Sequence, residues 1–380
     1  MNKKIVIYAY NGHNSLSGNW DEELAYYLTE KGKEVIHVRF PFGNYSLKSI
    51  RLFFYINGKQ RMKESLVRFS QPESLSYIKD FIMGCWYGLH YGKKTDLFVG
   101  TSNLLVLIGL FLRKIGYVKK VAYVIFDYTP VRFSNYFLNG LYYVIDKIAC
   151  YSSDVVWPLN QKMLEGRNRD GKIDIKKVTF IEAPFGNDSL SFSDHQNHHD
   201  KNKIVYFGNI TKNKGCELFV PIIMSLLSRG LNNFTLKVIG GGDIDYLKEE
   251  ILANDLDGYV DILGRIENQE EINNILLTSG IAIAPYYPED KNNFSYYADP
   301  GKVKIYLGCG LPIVITNVPP IAKDISNNQA GFIAEYEADD FADKILTIQK
   351  NYDFYKGNAV KFGEKFDWNN MFGNLLKEVL

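Results

Sequence analysis

Tyr297-Ala298-Asp299-Pro300-Gly301-Lys302-Val303-Lys304-Ile305-Tyr306-Leu307-Gly308-Cys309-Gly310-Leu311-Pro312 is the most informative stretch of the chain. Pro300 suits the entry to a helix, because its missing N–H costs nothing in the first turn. Gly301 carries no side chain to screen the open amides from a ligand. Lys302 then stands in the first turn, where a cation opposes the helix dipole unless an anion such as a diphosphate lies there. The ordinary alternative is a solvated pair of lysines flanking a buried Ile305/Leu307 face. Short apolar runs border the segment, Ile281–Ala284 reaching Pro285 on one side and Pro312–Thr316 on the other, so a helix over Lys302–Cys309 links two strands.

The same alternation extends outward along all 380 residues and predicts parallel α/β architecture. In the first half, strands are expected at Lys4–Tyr10, Glu34–Phe40, Thr95–Gly100, Val121–Phe126, Asp154–Leu159 and Val178–Glu182. Helices are expected at Asp21–Lys31, Leu104–Ile115 and Phe137–Ala149, whereas residues 43–89 give no clear pattern. Residues 189–202, SLSFSDHQNHHDKN, lack periodicity and read as a linker, which makes His195, His198 and His199 solvated. Beyond it come strands at Lys203–Phe207, Phe234–Ile239 and Val260–Leu263, with helices at Glu217–Arg229, Ile244–Ala253, Glu270–Thr278 and Ala338–Lys350. Two doubly wound domains imply a ligand cleft at the C-terminal ends of their strands.

Composition removes several classes. Hydrophobic residues are 46% and charged residues 23%, a globular balance. The longest apolar run, Leu104–Leu112, is too short to span a bilayer, and the start MNKKIVIYAYNGH reads as a strand rather than a signal peptide. Cys85, Cys150, Cys216 and Cys309 are far apart, which suits reduced thiols in the cytoplasm and argues against zinc. Charge is uneven: residues 1–190 hold 26 Lys+Arg against 17 Asp+Glu (+9), and residues 191–380 hold 18 against 26 (−8). Different partners for the two halves follow.

Two more loops of the second half suit phosphate. Gly208-Asn209-Ile210-Thr211-Lys212-Asn213-Lys214-Gly215 follows a strand, with Gly208 open to close approach and Lys214 near a helix start; an ordinary βα loop is the alternative. Gly240-Gly241-Gly242-Asp243 ends another strand but is not GxGxxG, and no GxxxxGK[ST] occurs. Asp243-Ile244-Asp245 has the letters of a metal-binding DxD, yet opens a helix and reads as capping.

These segments together resemble the donor domain of GT-B glycosyltransferases, especially the large retaining group numbered family 4, over most of the chain. Gly208…Lys214-Gly215 is similar to their G-R-x(4)-K-G, Val238–Gly242 to their V-G-x-G, and Leu263-Gly264-Arg265 to their f-x-G-x-v. Lys302…Pro312 resembles their K-x-x-E-Y-x-A-x-G-x-P helix, and Phe366-Asp367-Trp368 the f-s-W that opens their last helix. Phe126-Asp127-Tyr128-Thr129-Pro130 stands at their H-D-x-x-P, and Pro184–Asp188 at their P-N-G-V-D. The departures are specific. The family's arginine falls at Asn209, its paired glutamates at Tyr297 and Ile305, and its histidine at Phe126. The N-P-x-K-x-S-x-Y-L-x-x-G-x-P segment of bacterial galactofuranosyl- and glucosyltransferases, also without the glutamate, is similar too.

The resemblance implies a GT-B fold of two Rossmann-like domains. Residues 1–188 would bind acceptor, 189–202 link, 203–365 bind a nucleotide-diphospho-sugar such as a UDP-sugar, and 366–380 form a helix returning to the first domain. Donor contacts are expected from Gly208, Asn209, Lys214, Gly241, Arg265, Asp299, Gly301 and Lys302. A polar loop, Tyr10–Asn19, would touch phosphates or acceptor through Gly12, Gly18 and Asn19. His13 and Asp127 are the proton-transfer candidates, with sugar-hydroxyl binding and an Asx-turn as their alternatives. The implied function is sugar transfer to a glycan, glycolipid or glycoprotein in bacterial surface polysaccharide synthesis. No metal or other cofactor, and no nucleic acid, is expected. A non-hydrolysing sugar-nucleotide epimerase and a silent nucleotide-sugar-binding partner of another transferase are the alternatives. Residues 48–68 carry six basic residues against Glu64, interleaved with Leu52, Phe53, Phe54 and Tyr55. That composition suits peripheral attachment to anionic lipid at the inner membrane face, or else a solvated amphipathic helix or loop whose Phe and Leu face the core.

Overall fold

A computed structural model describes the chain apart from residues 1–2, 12–18, 42–48, 57–58, 67–72, 188–198 and 289–293. The described residues fall into two compact units: 1–184 with 371–380, and 185–370.

The first unit is built on a seven-stranded sheet, in which β1 (Lys4–Asn11) is flanked by β2 (Glu34–Pro41) and β5 (Thr95–Gly100). Beyond β5 lie β6 (Val118–Ile125) and β7 (Val155–Pro158); these five strands are parallel. Their burial on both faces matches the continuous apolar runs seen in the sequence, since parallel sheets are covered on both sides. The unpatterned stretch supplies an antiparallel hairpin, β3 (Ser49–Ile56) and β4 (Lys59–Leu66), which extends the sheet beyond β2. The expected amphipathic helix or loop is corrected to two strands, while its turn towards the core holds in part: Leu52 and Tyr55 are buried and Phe53 and Phe54 half-buried, and Lys59, Arg61 and Lys63 alternate along exposed β4. An edge strand studded with charge is also protected against pairing with another chain. Residues 178–182 run beside β7 but make one bridge only, Val156 with Phe180, so no strand forms there.

Helices α1 (Trp20–Glu30), α2 (Glu73–Tyr91), α3 (Asn103–Lys114) and α4 (Tyr136–Ser152) cover this sheet. Ser102 and Asn135 start α3 and α4 by accepting the N–H of Leu105 and Leu138. Two charged networks are buried. Asp146 accepts from Tyr123 (2.6 Å) and from Arg167 (2.8 Å). Asp21 bonds His37 (2.8 Å) and pairs with Arg39 (3.4 Å); burial opposes ionisation of Asp21, but the His37 bond and the charges of His37 and Arg39 outweigh it and lower its pKa.

The second unit has a six-stranded, all-parallel sheet. Its order is β10 (Val260–Gly264), β9 (Thr235–Ile239), β8 (Lys203–Phe207), β11 (Ile281–Ala284), β12 (Ile313–Thr316) and β13 (Gly331–Ala334). Residues 185–187, expected with the first domain, pack here: Asn187 donates to the Lys304 carbonyl (2.7 Å), and a Cβ at Gly186 would stand 2.3 Å from Trp368. His199 is not a solvated linker residue, because its Nδ1 lies 3.1 Å from the Tyr352 hydroxyl. Burial, then the Lys356 charge, lowers its pKa to about 4, so it is neutral. His195 and His198 lie outside the described residues.

The final helix, Trp368–Lys377, passes from the second unit to the first. Its Phe372 is fully buried against Trp20 (5.2 Å between ring centroids) and Tyr27 (5.6 Å). No helix among the described residues is long and apolar enough to cross a membrane. Phe372→Ala should cost about 3–5 kcal/mol, the usual loss for deleting a buried aromatic ring. Urea unfolding followed by tryptophan fluorescence of Trp20 measures it.

Candidate active site

The helix Gly301–Gly308 is fixed by Tyr306, whose hydroxyl accepts the N–H of Phe207 (2.6 Å) at the end of β8 and donates to the Phe207 carbonyl (3.2 Å). Lys302 lies one turn earlier on the same face. It is thereby brought over the β8 loop, where a Cβ on Gly208 would stand 3.2 Å from its Nζ.

Two aromatic faces receive this ammonium: the Tyr206 ring at 4.1 Å and the Tyr286 ring at 4.9 Å from Nζ to centroid. Lys214 approaches the same Tyr286 ring at 4.9 Å and donates to Ser295 (3.1 Å). Tyr286 is held by its carbonyl, which accepts from Thr316 (2.7 Å), and Tyr206 by donating to the Asn209 carbonyl (2.6 Å). Neither lysine pairs with a carboxylate among the described residues. Burial, then the charge of Lys214, drives the Lys302 pKa well below the ordinary lysine range; burial lowers that of Lys214. Two desolvated cations facing one another are costly, and an anion between them relieves both burial and repulsion.

Backbone contacts gather the loops around this pair. Gly240, at φ 149°, lies so close that a Cβ would be 1.8 Å from the Gly208 carbonyl oxygen. Gly215, at φ 78°, lets the β8 loop press on Pro285, where a Cβ would meet the carbonyl at 1.7 Å. Both contacts demand glycine. Gly301 and Gly241 differ: beside Gly301 a Cβ would find only ordinary contact with Phe185 at 3.8 Å, and beside Gly241 nothing within 4 Å. Packing leaves those two positions open to a ligand.

Other expected donor residues are placed differently. Asn209 and Arg265 are exposed. Asp299 is taken up structurally, accepting the Phe185 N–H (2.7 Å) and forming a buried ion pair with Lys304. The alternative of two solvated lysines is therefore corrected: Lys302 is half-buried and Lys304 buried, about 200° apart around the helix. That angle was legible in the spacing, but the two destinations were not. Asp243 starts its helix without a side-chain cap bond; it and Asp245 line a 430 Å³ cavity with Lys212, Glu217 and Tyr246. Among the described residues no three His, Cys, Asp or Glu side chains cluster as metal ligands would.

In the first unit, Asp127 follows β6, exposed, and lines a 590 Å³ cavity with Tyr10, Thr101, Asn103, Arg132 and Arg167 among others. Sequence reasoning missed this cavity, because its walls come from segments far apart in the chain, from Tyr10 to Arg167. Asn19 begins α1, its carbonyl accepting the N–H of Glu22 (2.9 Å) and Glu23 (3.0 Å) and its amide donating to Glu22 (2.8 Å). Gly12, His13 and Gly18 lie outside the described residues.

Known proteins share this architecture. Residues 201–351 match the family described as glycosyl transferases group 1. Sucrose-phosphate synthase from Thermosynechococcus elongatus aligns over 99% of this chain and 98% of its own, at 13% identity and TM-score 0.69. Anabaena HepE, solved in complex with UDP, aligns over 98% of both at 14% identity and TM-score 0.66. WaaG, a glycosyltransferase involved in lipopolysaccharide biosynthesis, aligns over 99% of both at 13% identity and TM-score 0.60. The fold is GT-B. No curated protein matches the sequence itself.

Within this GT-B chain the depressed Lys302 pKa has a measurable consequence. Free Lys302 loses its proton at lower pH than an ordinary lysine, and a diphosphate bound beside it would restore that proton. Binding of a nucleoside diphosphate should therefore take up a proton above the depressed pKa and weaken as pH rises further. Calorimetry in buffers of different ionisation enthalpy reads that uptake, and Lys302→Met should abolish it. For Asp299→Ala the expected result is different: a loss of about 3–5 kcal/mol of stability in urea, the cost of leaving one charge of a buried pair alone.

Proposed function

We propose that this chain is a glycosyltransferase, moving a sugar from a nucleotide-diphospho-sugar to a hydroxyl of a glycan, glycolipid or glycoprotein acceptor. The observation that carries the reading is the Lys302–Lys214 pair, two cations without carboxylate partners among the described residues, beside a helix start at Gly301 that packing leaves open. In the step, the bond between the anomeric carbon and the β-phosphate oxygen breaks and its electron pair leaves with the diphosphate. A bond from the acceptor oxygen to that carbon forms, and the hydroxyl proton passes to a base. Lys302, Lys214 and the amides after Gly301 neutralise the charge that grows on the leaving group. Asp127 is the base we assign in the described part of the first unit, and His13 stands as the second candidate from the sequence. Because the lysines supply the neutralising charge, transfer proceeds without a divalent ion. UDP is the nucleotide to test first, since HepE, which shares the fold, was solved with it. We place the work at the cytoplasmic face of the membrane, in bacterial surface polysaccharide synthesis; exposed Lys59, Arg61 and Lys63 of β4 suit an anionic lipid surface.

A panel of nucleotide sugars tests the reaction. UDP release that depends on acceptor, and that persists in excess chelator, is expected. Epimerised donor without acceptor, or binding without turnover, overturns it. Lys302→Ala and Lys214→Ala should each weaken UDP binding by about 1.5–3 kcal/mol, the value of a hydrogen bond to a charged group, while uridine binding stays unchanged.

A further inference from the structure

The cavity of the first unit has two chemistries. Its polar groups come from the C-terminal ends of β1, β5 and β6 and the turn beyond: Tyr10, Thr101, Asn103, Asp127 and Arg132. Its remaining length is apolar, with Leu104 and Leu107 of α3 between Ile78 and Phe81 of α2 and Leu141 and Ile145 of α4. At 590 Å³ it lies inside the roughly 300–1,000 Å³ of ligand pockets. Apolar side chains continue from it onto the surface. Leu75, Ile78, Ile82, Trp86 and Leu89 form an exposed stripe on α2, and Phe137, Leu141, Val144 and Ile148 another on α4. Two such stripes bordering one groove exceed the scattered apolar exposure normal for a soluble surface.

Charge on the same side of the sheet completes the pattern. Phe54 packs its ring 5.2 Å from Tyr91 of α2, and opposite Phe54 in the hairpin stands Arg61. Directly paired residues share a face, so Lys59, Arg61 and Lys63 lie on the α2 side. Arg132 is held at the polar end by donating to the Tyr77 hydroxyl (2.9 Å).

We propose that this groove binds the hydrocarbon chain of an amphiphile with an anionic head group, the lipid anchor of the acceptor. The chain lies over Leu104 and Leu107 between α2 and α4. The head group meets Arg132, which sets the acceptor hydroxyl beside Asp127. A folded protein partner could cover the two stripes but would not fill a cavity of this depth, whereas a flexible hydrocarbon chain does both. The assignment rests on the transfer reading only for the use made of Asp127; the lipid site itself is tested by binding.

Farnesyl monophosphate and undecyl monophosphate, below their aggregation concentrations, are titrated into the full chain with inorganic phosphate as the control. Saturable one-to-one binding of both amphiphiles, and none of phosphate, is expected. Ile78→Glu and Leu141→Glu, at positions 58% and 54% exposed, should keep the melting temperature and weaken amphiphile binding at least tenfold. Should either destabilise the fold, Ile78→Ser and Leu141→Ser replace them. A diazirine-bearing undecyl phosphate should label residues 73–91 and 136–152. Absence of saturable binding, equal affinity in the variants, or labelling elsewhere overturns the lipid site. UDP binding measured on the same samples separates the outcomes: UDP bound without amphiphile removes the lipid site alone, and amphiphile bound without UDP removes the transferase reading alone.

Discussion

One hydroxyl orders the second unit. Tyr306 bonds both backbone groups of Phe207, so the helix Gly301–Gly308 is seated on the end of β8. Everything the site offers follows from that seat. It carries Lys302 onto the faces of Tyr206 and Tyr286 and points Lys304 the other way into Asp299, while a Cβ at Gly301 would find nothing nearer than Phe185 at 3.8 Å. A lysine solvated in bulk water gains little from any anion, because water already screens its charge. One held on aromatic rings beside a second ammonium is destabilised until an anion arrives, which turns burial into affinity.

The two lysines of this helix illustrate how the same residue type is used in opposite ways. Lys304 is buried with a carboxylate in contact and accepts no external partner; its work is to tie the segment around Phe185 to the helix through Asp299. Lys302 has no carboxylate partner among the described residues, and any anion that bound only the folded site would offset the cost of burying it by mass action. Such a split between a satisfied and an unsatisfied charge separates scaffold from site more sharply than residue identity does.

In the first unit the organising contrast is between the buried Asp146–Arg167–Tyr123 network and the open groove next to it. The network locks α4 and the helix Lys162–Gly171 to β6, and apolar side chains of α3 and α4 line the cavity beside it. Strand ends bring polar atoms to one part of that space while helices line the rest, a division that parallel α/β topology produces without special arrangement.

The parallel strands were legible in the chain, because two-sided burial writes a continuous apolar run, and so was the helix entry at Pro300–Lys302, because proline, glycine and lysine coincide there. That Lys302 and Lys214 meet on the same Tyr286 ring was not legible. The sequence by itself did not determine the β3–β4 hairpin, whose alternation is blurred by charge on an edge strand, nor the fate of Asp299, nor the neutral, packed state of His199. Those outcomes depend on which distant side chain arrives opposite: Lys304 for Asp299, Tyr352 for His199, Tyr91 for Phe54. The groove is the extreme case. Its walls are ordinary amphipathic helices, read singly as core, and only the spacing between α2 and α4 across α3 leaves their apolar faces without a partner.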